Sequence, residues 1–373
     1  MKKSKLQSFL LEYTYNRTID KINKYYLNND NITENIEDEN VNEAGGVAGI
    51  PIVNDVQRLY TDLNNILETQ DKHSPEVIQK VIPVKFESIG FKNLNCEEHT
   101  IRIRFNDSDY GFKNIVSLPN SVFVFRIKDI KINNIVLAAT FRETLGSKNY
   151  YRQQFSDRID NGHLIKSDPE TIGIDVLAVN GEICPKSFYA AFFHEFNHLF
   201  QDFQQSIKNS RRETVKIYRI TNAINVINQY TELTDLDKKH ITNLFKNVMN
   251  DTEINAYAAG HFGELLGSDV EPKDYKKFIE YSNVWSHIIN VENAIDHILK
   301  MDDDKLKKIY DAIKATQFDE LFSSDQIDEK NFKKTFRNNI LKRLQKLIDA
   351  TTKVAAYYFG MTAKFNNQNQ KLT

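Results

Sequence analysis

The stretch from Pro185 to Phe203, PKSFYAAFFHEFNHLFQDF, decides how this chain folds and where its chemistry lies. Proline suits the first turn of a helix and serine caps free N–H groups, so the pattern predicts a helix that begins at Pro185 or Ser187. Phenylalanines fall on several sides of this helix, and a helix that is apolar nearly all round is a buried one. We therefore expect a helix in the core of the protein.

Two histidines and a glutamate on this helix are candidate functional residues. His194 and His198 are four positions apart, so they lie on one helix face and both imidazoles can reach a single metal ion. Glu195 follows the first histidine and can take a proton from a water molecule that attacks a substrate. Unpaired polar groups are costly inside a protein, and a zinc ion would supply the partner. The alternative, a surface helix whose polar groups are solvated, is disfavoured by the phenylalanines.

A catalytic zinc ion usually has three protein ligands, and Glu253 is the best candidate for the third. It lies in the segment 250–260, NDTEINAYAAG, where Asn250 or Asp251 can cap a helix and place Glu253 in its first turns. The small residues at its end let this second helix approach the first closely. Tyr257 lies one turn after Glu253, well placed to hydrogen-bond a metal ligand. The alternative is an exposed first-turn glutamate that the helix dipole favours.

An HExxH motif followed at a distance by a helical Glu-x-x-Ala resembles the gluzincin branch of the zincin metallopeptidases. The resemblance covers the two helices and the strand before them. It implies that His194, His198 and Glu253 bind zinc and that Glu195 is the general base. Many gluzincins carry an aspartate one turn after the glutamate ligand, where this chain has Tyr257. The tyrosine hydroxyl could make the same bond to a zinc histidine, or it could point elsewhere.

Stabilisation of a transition state needs a donor aimed at the developing oxyanion, and three residues are candidates for it: Tyr257, His261 and His287. His261 lies two turns after Glu253 on nearly the same helix face, which predicts that it reaches the cleft. A lone helical histidine is also compatible with a surface or core position. We take Glu195, Tyr257 and His261 as the candidate catalytic residues.

The whole chain predicts an α+β, zincin-like fold, in which a small N-terminal mixed sheet packs on the HExxH helix and a largely α-helical C-terminal subdomain follows. Short segments rich in isoleucine, valine and phenylalanine predict strands at 81–94, 100–105, 121–127, 132–141 and 171–179. Long helices are expected at 273–300 and 333–359. The predicted units are an N-terminal helix (1–27), a flexible acidic and glycine-containing linker (28–53), a helical lead-in (54–80), the sheet with the HExxH helix (81–210), the helical subdomain with the third ligand (211–360) and a disordered tail (361–373).

Composition narrows the class of protein. The formal net charge of −2 gives no bulk attraction to nucleic acid or membrane surfaces, so neither is expected as a partner. Two cysteines cannot build a disulfide framework, which is typical of a reducing compartment. No apolar stretch is long enough to cross a bilayer or to serve as a signal peptide, so we expect a cytoplasmic protein. Abundant asparagine, lysine and isoleucine are typical of a low-G+C coding source such as a bacterium or its phage.

Two functions are compatible with these patterns. The first is a zinc-dependent metallopeptidase that hydrolyses peptide bonds in a peptide or protein substrate, with Glu195 as general base. The second is a virion-associated or other structural protein that keeps a zincin-like fold without peptidase activity and binds protein partners through its C-terminal helices. A purely structural metal site has no use for a base beside it. The presence of Glu195 therefore favours the enzyme.

Overall fold

A computed structural model describes residues 5–22, 52–69, 78–86, 91–104, 122–133, 135, 138, 171–208, 211–249, 251–318 and 329–370. Within these residues the fold is α+β and mostly helical, with one small sheet. The predicted linker lies outside the described residues up to position 51, and so do 139–170. None of the described helices combines the length and the apolar composition that a membrane span requires.

In the part of the chain that the structure describes, two helices precede the sheet: α1 (Lys5–Ile22) and α2 (Val53–Thr69). Apolar residues recur along α2 at intervals of three and four positions, so they share one face of the helix. This face is buried in the core and consists of Val56, Leu59, Leu63 and Leu67. The predicted helical lead-in over 54–80 is too long, because α2 ends at Thr69 and residues 78–80 already belong to a strand.

The sheet has five described strands in the order of the chain: β1 (Ile78–Phe86), β2 (Phe91–Arg104), β3 (Val122–Lys131), β4 (Thr171–Val179) and β5 (Glu182–Ile183). Only β3 and β4 run parallel, and the other neighbouring pairs are antiparallel. The single strand predicted over 81–94 is in fact parts of two strands, with Val84 paired to Leu94. The sequence does mark a break here, because Glu87, Ser88 and Gly90 interrupt the apolar pattern.

The strand predicted over 132–141 is wrong. Ile132 and Asn133 lie outside the strands, and Ile135 and Ala138 are helical. The side-chain amide of Asn180 explains where β3 ends. Its oxygen accepts the N–H of Ile132 at 2.8 Å and its nitrogen donates to the carbonyl of Ile132 at 2.8 Å. Both backbone groups of Ile132 are thus satisfied by a side chain instead of a neighbouring strand.

The predicted strand over Thr171–Val179 and the turn at Asn180-Gly181 are confirmed. Both turn residues have positive φ, 54° and 84°, a conformation that asparagine tolerates and glycine adopts freely. The turn leads through β5 into α3 (Pro185–Lys208), which carries the HExxH motif and begins at the predicted Pro185. The rings of Phe188 and Phe192 on α3 lie against those of Phe125 and Phe123 on β3, with centroids 6.1 and 5.5 Å apart.

The described residues beyond α3 are largely helical, as predicted. The helices are α4 (Arg211–Gln229), α5 (Asp235–Val248), α6 (Asp251–Ser268), α7 (Tyr275–Ile279), α8 (Asn283–Leu299), α9 (Asp303–Ala315) and α10 (Phe332–Gln370). The helix predicted over 273–300 is divided, because the hydroxyl of Ser282 caps a new helix by accepting the N–H of Trp285 at 3.1 Å. The predicted disordered tail begins too early, because α10 continues to Gln370, and residues 361–370 include neither proline nor glycine.

Candidate metal centre

The helices α3 and α6 pack more extensively than any other pair of described helices. Glycines on α6 allow this approach. A Cβ atom on Gly263 would lie 2.2 Å from the carbonyl oxygen of Tyr189, and one on Gly260 would lie 3.3 Å from the carbonyl oxygen of Ala190. The expectation that small residues let the second helix approach the first is therefore confirmed. This contact fixes the position of α6 relative to the HExxH helix.

The structure brings the three predicted metal ligands together. The Nε2 atom of His194 lies 3.8 Å from one carboxylate oxygen of Glu253, and the Nε2 atom of His198 lies 3.5 Å from the other. The two imidazole rings are nearly perpendicular, with centroids 4.9 Å apart. One ligand atom from each residue lies within 4.8 Å of the other two. Two imidazole nitrogens and one carboxylate oxygen thus face a common point.

This set of atoms could hold a metal ion. Two histidines and a glutamate are a ligand set that catalytic zinc sites use. The Nε2 atom of His198 is buried and has no hydrogen-bond partner among the described residues. A buried nitrogen in this state is costly, and a metal ion would satisfy it. The side chain of His194 is 5% exposed, whereas those of His198 and Glu253 are 21% and 23% exposed, so the site opens on one side.

Glu195 lies on α3 between the two histidines and is partly exposed, whereas its neighbours Phe196 and Asn197 are buried. Glu195 therefore has partial access to solvent on the helix that carries both histidines. A general base needs this access, because it must meet both the attacking water and the substrate.

Tyr257 and His287 form a ring stack beside the predicted ligands. The Tyr257 ring meets the edge of the His194 ring at a centroid distance of 5.2 Å and stacks on the His287 ring at 4.1 Å. Tyr257 thus contacts a predicted ligand through its ring, which restricts the orientation of the imidazole. His287, one of the three candidate oxyanion donors, comes from α8 and joins this stack.

His261 occupies a different position from the predicted one. Its side chain is 1% exposed, its Nε2 lies 3.1 Å from the Tyr275 hydroxyl and its Nδ1 lies 3.4 Å from a carboxylate oxygen of Glu264. Eight positions along a helix add about 80° to two full turns, which directs His261 away from the face of Glu253. We therefore assign His261 to helix packing instead of catalysis.

The network around His261 joins three helices. Glu264 on α6 is fully buried, and it accepts the backbone N–H of Asn283 at the start of α8 at 3.0 Å. Burial raises the pKa of the Tyr275 hydroxyl, so this group stays protonated and available as a donor. The network holds α7 and α8 against α6, and so supports the position of the ring stack.

Comparison with models of known protein families gives no match for this chain. Comparisons with curated proteins and with solved structures give no match either.

Proposed function

We propose that this protein is a zinc-dependent metallopeptidase of the zincin type. One observation carries the proposal: ligand atoms of His194, His198 and Glu253 converge within 4.8 Å of one another. The two histidines share a helix, so their proximity follows from helix geometry alone. Glu253 comes from another helix, and its approach to both imidazoles is independent of the HExxH motif. A ligand triad of this composition, open on one side, suits catalysis better than a closed structural site.

The roles of the residues follow from their chemistry. His194, His198 and Glu253 would hold the zinc ion. When bound, zinc polarises a substrate carbonyl and lowers the pKa of a nearby water molecule. Glu195 accepts a proton from the attacking water and returns it to the amine that leaves. The ring of Tyr257, packed against His194, keeps that imidazole in one orientation.

An extended peptide is the substrate that the neighbouring strand suits best. One edge of β4 pairs with β3 along its length, whereas β5 pairs only with Ala178 and Val179 at the end of β4. No described strand pairs with this second edge between Thr171 and Ile174. A peptide could add there as a further strand through main-chain hydrogen bonds. The chain continues from β4 through the turn and β5 into α3, so the bound peptide would lie on the strand that precedes the helix of the candidate metal centre.

The test is a cleavage assay with a mixed peptide library, read by mass spectrometry. Glu195→Gln keeps the shape of the side chain and removes the base, and Glu271→Gln is the matched control at an exposed glutamate. We expect cleavage by the wild type and the control, and a rate lower by a factor of about 100 or more for Glu195→Gln.

Two results would contradict the proposal. Equal rates for Glu195→Gln and the wild type would exclude Glu195 as the base. A zinc-loaded wild type that cleaves no peptide in the library would favour the non-enzymatic alternative, a structural or interaction protein with a zincin-like fold.

A further inference from the structure

A second group of metal-ligating side chains lies on the sheet, apart from the candidate metal centre. Glu97 on β2 pairs across the strands with Asp129 on β3. His99 follows Glu97 by two positions, so its side chain lies on the same face of the sheet. One ligand atom from each of the three residues lies within 4.8 Å of the other two. We call these three residues, with Lys131, the sheet cluster.

The imidazole of His99 points into this cluster. The side chain is 1% exposed, and its Nε2 atom lies 3.8 Å from a carboxylate oxygen of Glu97. That nitrogen has no hydrogen-bond partner among the described residues. A ring nitrogen without a hydrogen-bond partner is the donor that an imidazole offers to a metal ion.

The two carboxylates already attract a cation. Asp129 is fully buried, and one of its oxygens accepts the N–H of Gly181 at 2.9 Å. The ammonium of Lys131 contacts the other oxygen and lies 3.2 Å from Glu97. Burial disfavours the charged form of Lys131, but the bonds to Asp129 and Glu97 raise its pKa above the ordinary value. Two carboxylates and one ammonium leave a net negative charge beside the imidazole.

We propose that Glu97, His99 and Asp129 form a second metal site, which binds a divalent transition-metal ion in place of the Lys131 ammonium. One imidazole nitrogen and two carboxylate oxygens are ligands that zinc accepts. The Lys131 side chain is 35% exposed, so it can swing into solvent when the ion enters. The two positive charges of the ion then balance both carboxylates.

A metal ion at the sheet cluster would have a structural role. It would join β2 to β3, and the Asp129–Gly181 hydrogen bond extends this connection to the turn that leads into α3. The site uses none of the residues of the candidate metal centre. It does not depend on whether the protein is a peptidase.

The test is a zinc titration of the full chain against a chromophoric chelator. The double variant His194→Ala/His198→Ala removes the candidate metal centre and serves as the background. We expect this background to bind one zinc ion per chain and to melt at a higher temperature with zinc than without it. Glu97→Gln and His99→Ala in the same background lose the ion. The matched control His240→Ala, at a partly buried histidine on α5, retains it.

Lys131→Met keeps the test decisive if a variant of buried His99 fails to fold. Without the competing ammonium, zinc affinity in the background should rise about tenfold, a gain that misfolding cannot produce. A background variant that binds no zinc, or binding that neither Glu97→Gln nor Lys131→Met changes, would overturn the proposal. Failure of the candidate metal centre looks different, because the wild type and the background would then bind equal amounts of zinc.

Discussion

A single methyl group on Gly263 should push apart the two helices that hold the candidate metal centre. A Cβ atom there would lie 2.2 Å from the carbonyl oxygen of Tyr189, whereas real Cβ contacts essentially never fall below 3.0 Å. To relieve this overlap, the two helices must move apart or distort by about 0.8 Å. The atoms that the methyl group meets belong to the backbone and cannot rotate away. Zinc–ligand distances tolerate only about 0.2 Å, so a shift of this size at Glu253 would weaken metal binding.

The expected effect of Gly263→Ala combines two opposing contributions. Overpacking costs about 1–3 kcal/mol and occasionally more, and replacing glycine by alanine within a helix returns about 1 kcal/mol. The severity of the overlap favours the upper part of that range, so we expect a net loss of about 2 kcal/mol in the free energy of unfolding. Gly260→Ala has the same gain in helix propensity but a milder contact of 3.3 Å, which makes it the matched control.

Urea denaturation and zinc competition measure the two consequences. Gly263→Ala should lower the urea midpoint and weaken zinc binding, while Gly260→Ala should remain close to the wild type in both assays. If Gly263→Ala is as stable as the wild type and binds zinc equally well, α3 and α6 are not packed as closely as described.

Three further predictions concern other polar and aromatic residues. Burial would raise the pKa of Asp237, but bonds from Lys305 and His297 lower this pKa well below its usual value. The carboxylate therefore stabilises the fold above the unfolded pKa of about 3.9, and this stabilisation is lost as the pH falls. Asp237→Asn should therefore cost about 2 kcal/mol at pH 7 in urea denaturation, and less below about pH 4; a constant difference would contradict this account. His261→Ala should lower the free energy of unfolding by about 2 kcal/mol, because Glu264 and its neighbours lose a buried partner. If the proposed peptidase activity is found, its rate in the folded variant should stay near wild type, and lost activity at unchanged stability would restore a catalytic role for His261. Tyr257→Phe keeps the ring against His194 and should retain zinc. Tyr257→Ala should weaken zinc binding about 10- to 100-fold in a competition assay. Equal zinc affinities of the two variants would show that the ring contact is unimportant.

The parts of the structure that the sequence predicted are those in which local rules act. Histidines four apart on a helix share a face whatever surrounds them, so His194 and His198 could be paired from spacing alone. The Asn180-Gly181 turn follows from the backbone preferences of its two residues. Glu253 required one further step, because the small residues after it indicated a helix that packs closely against another.

The remaining parts depend on contacts between distant segments. The register of β1 against β2 is set by contacts between the two strands, and the end of β3 depends on an amide from Asn180. The approach of His99 to Asp129 depends on the pairing register of β2 and β3, which strand composition does not specify. His261 was assigned to the wrong environment because its partner Tyr275 lies beyond its own helix.

Zinc content, measured by elemental analysis, tests the central claim most directly. The proteins to compare are the wild type, His194→Ala, Glu253→Ala and Glu195→Gln, each purified and loaded with zinc in the same way. We predict that His194→Ala and Glu253→Ala each bind one zinc ion fewer per chain than the wild type, and that Glu195→Gln binds as much as the wild type. Equal zinc content in all four proteins would contradict the account, because the imidazoles and the Glu253 carboxylate would then form an ion-pair cluster without a metal.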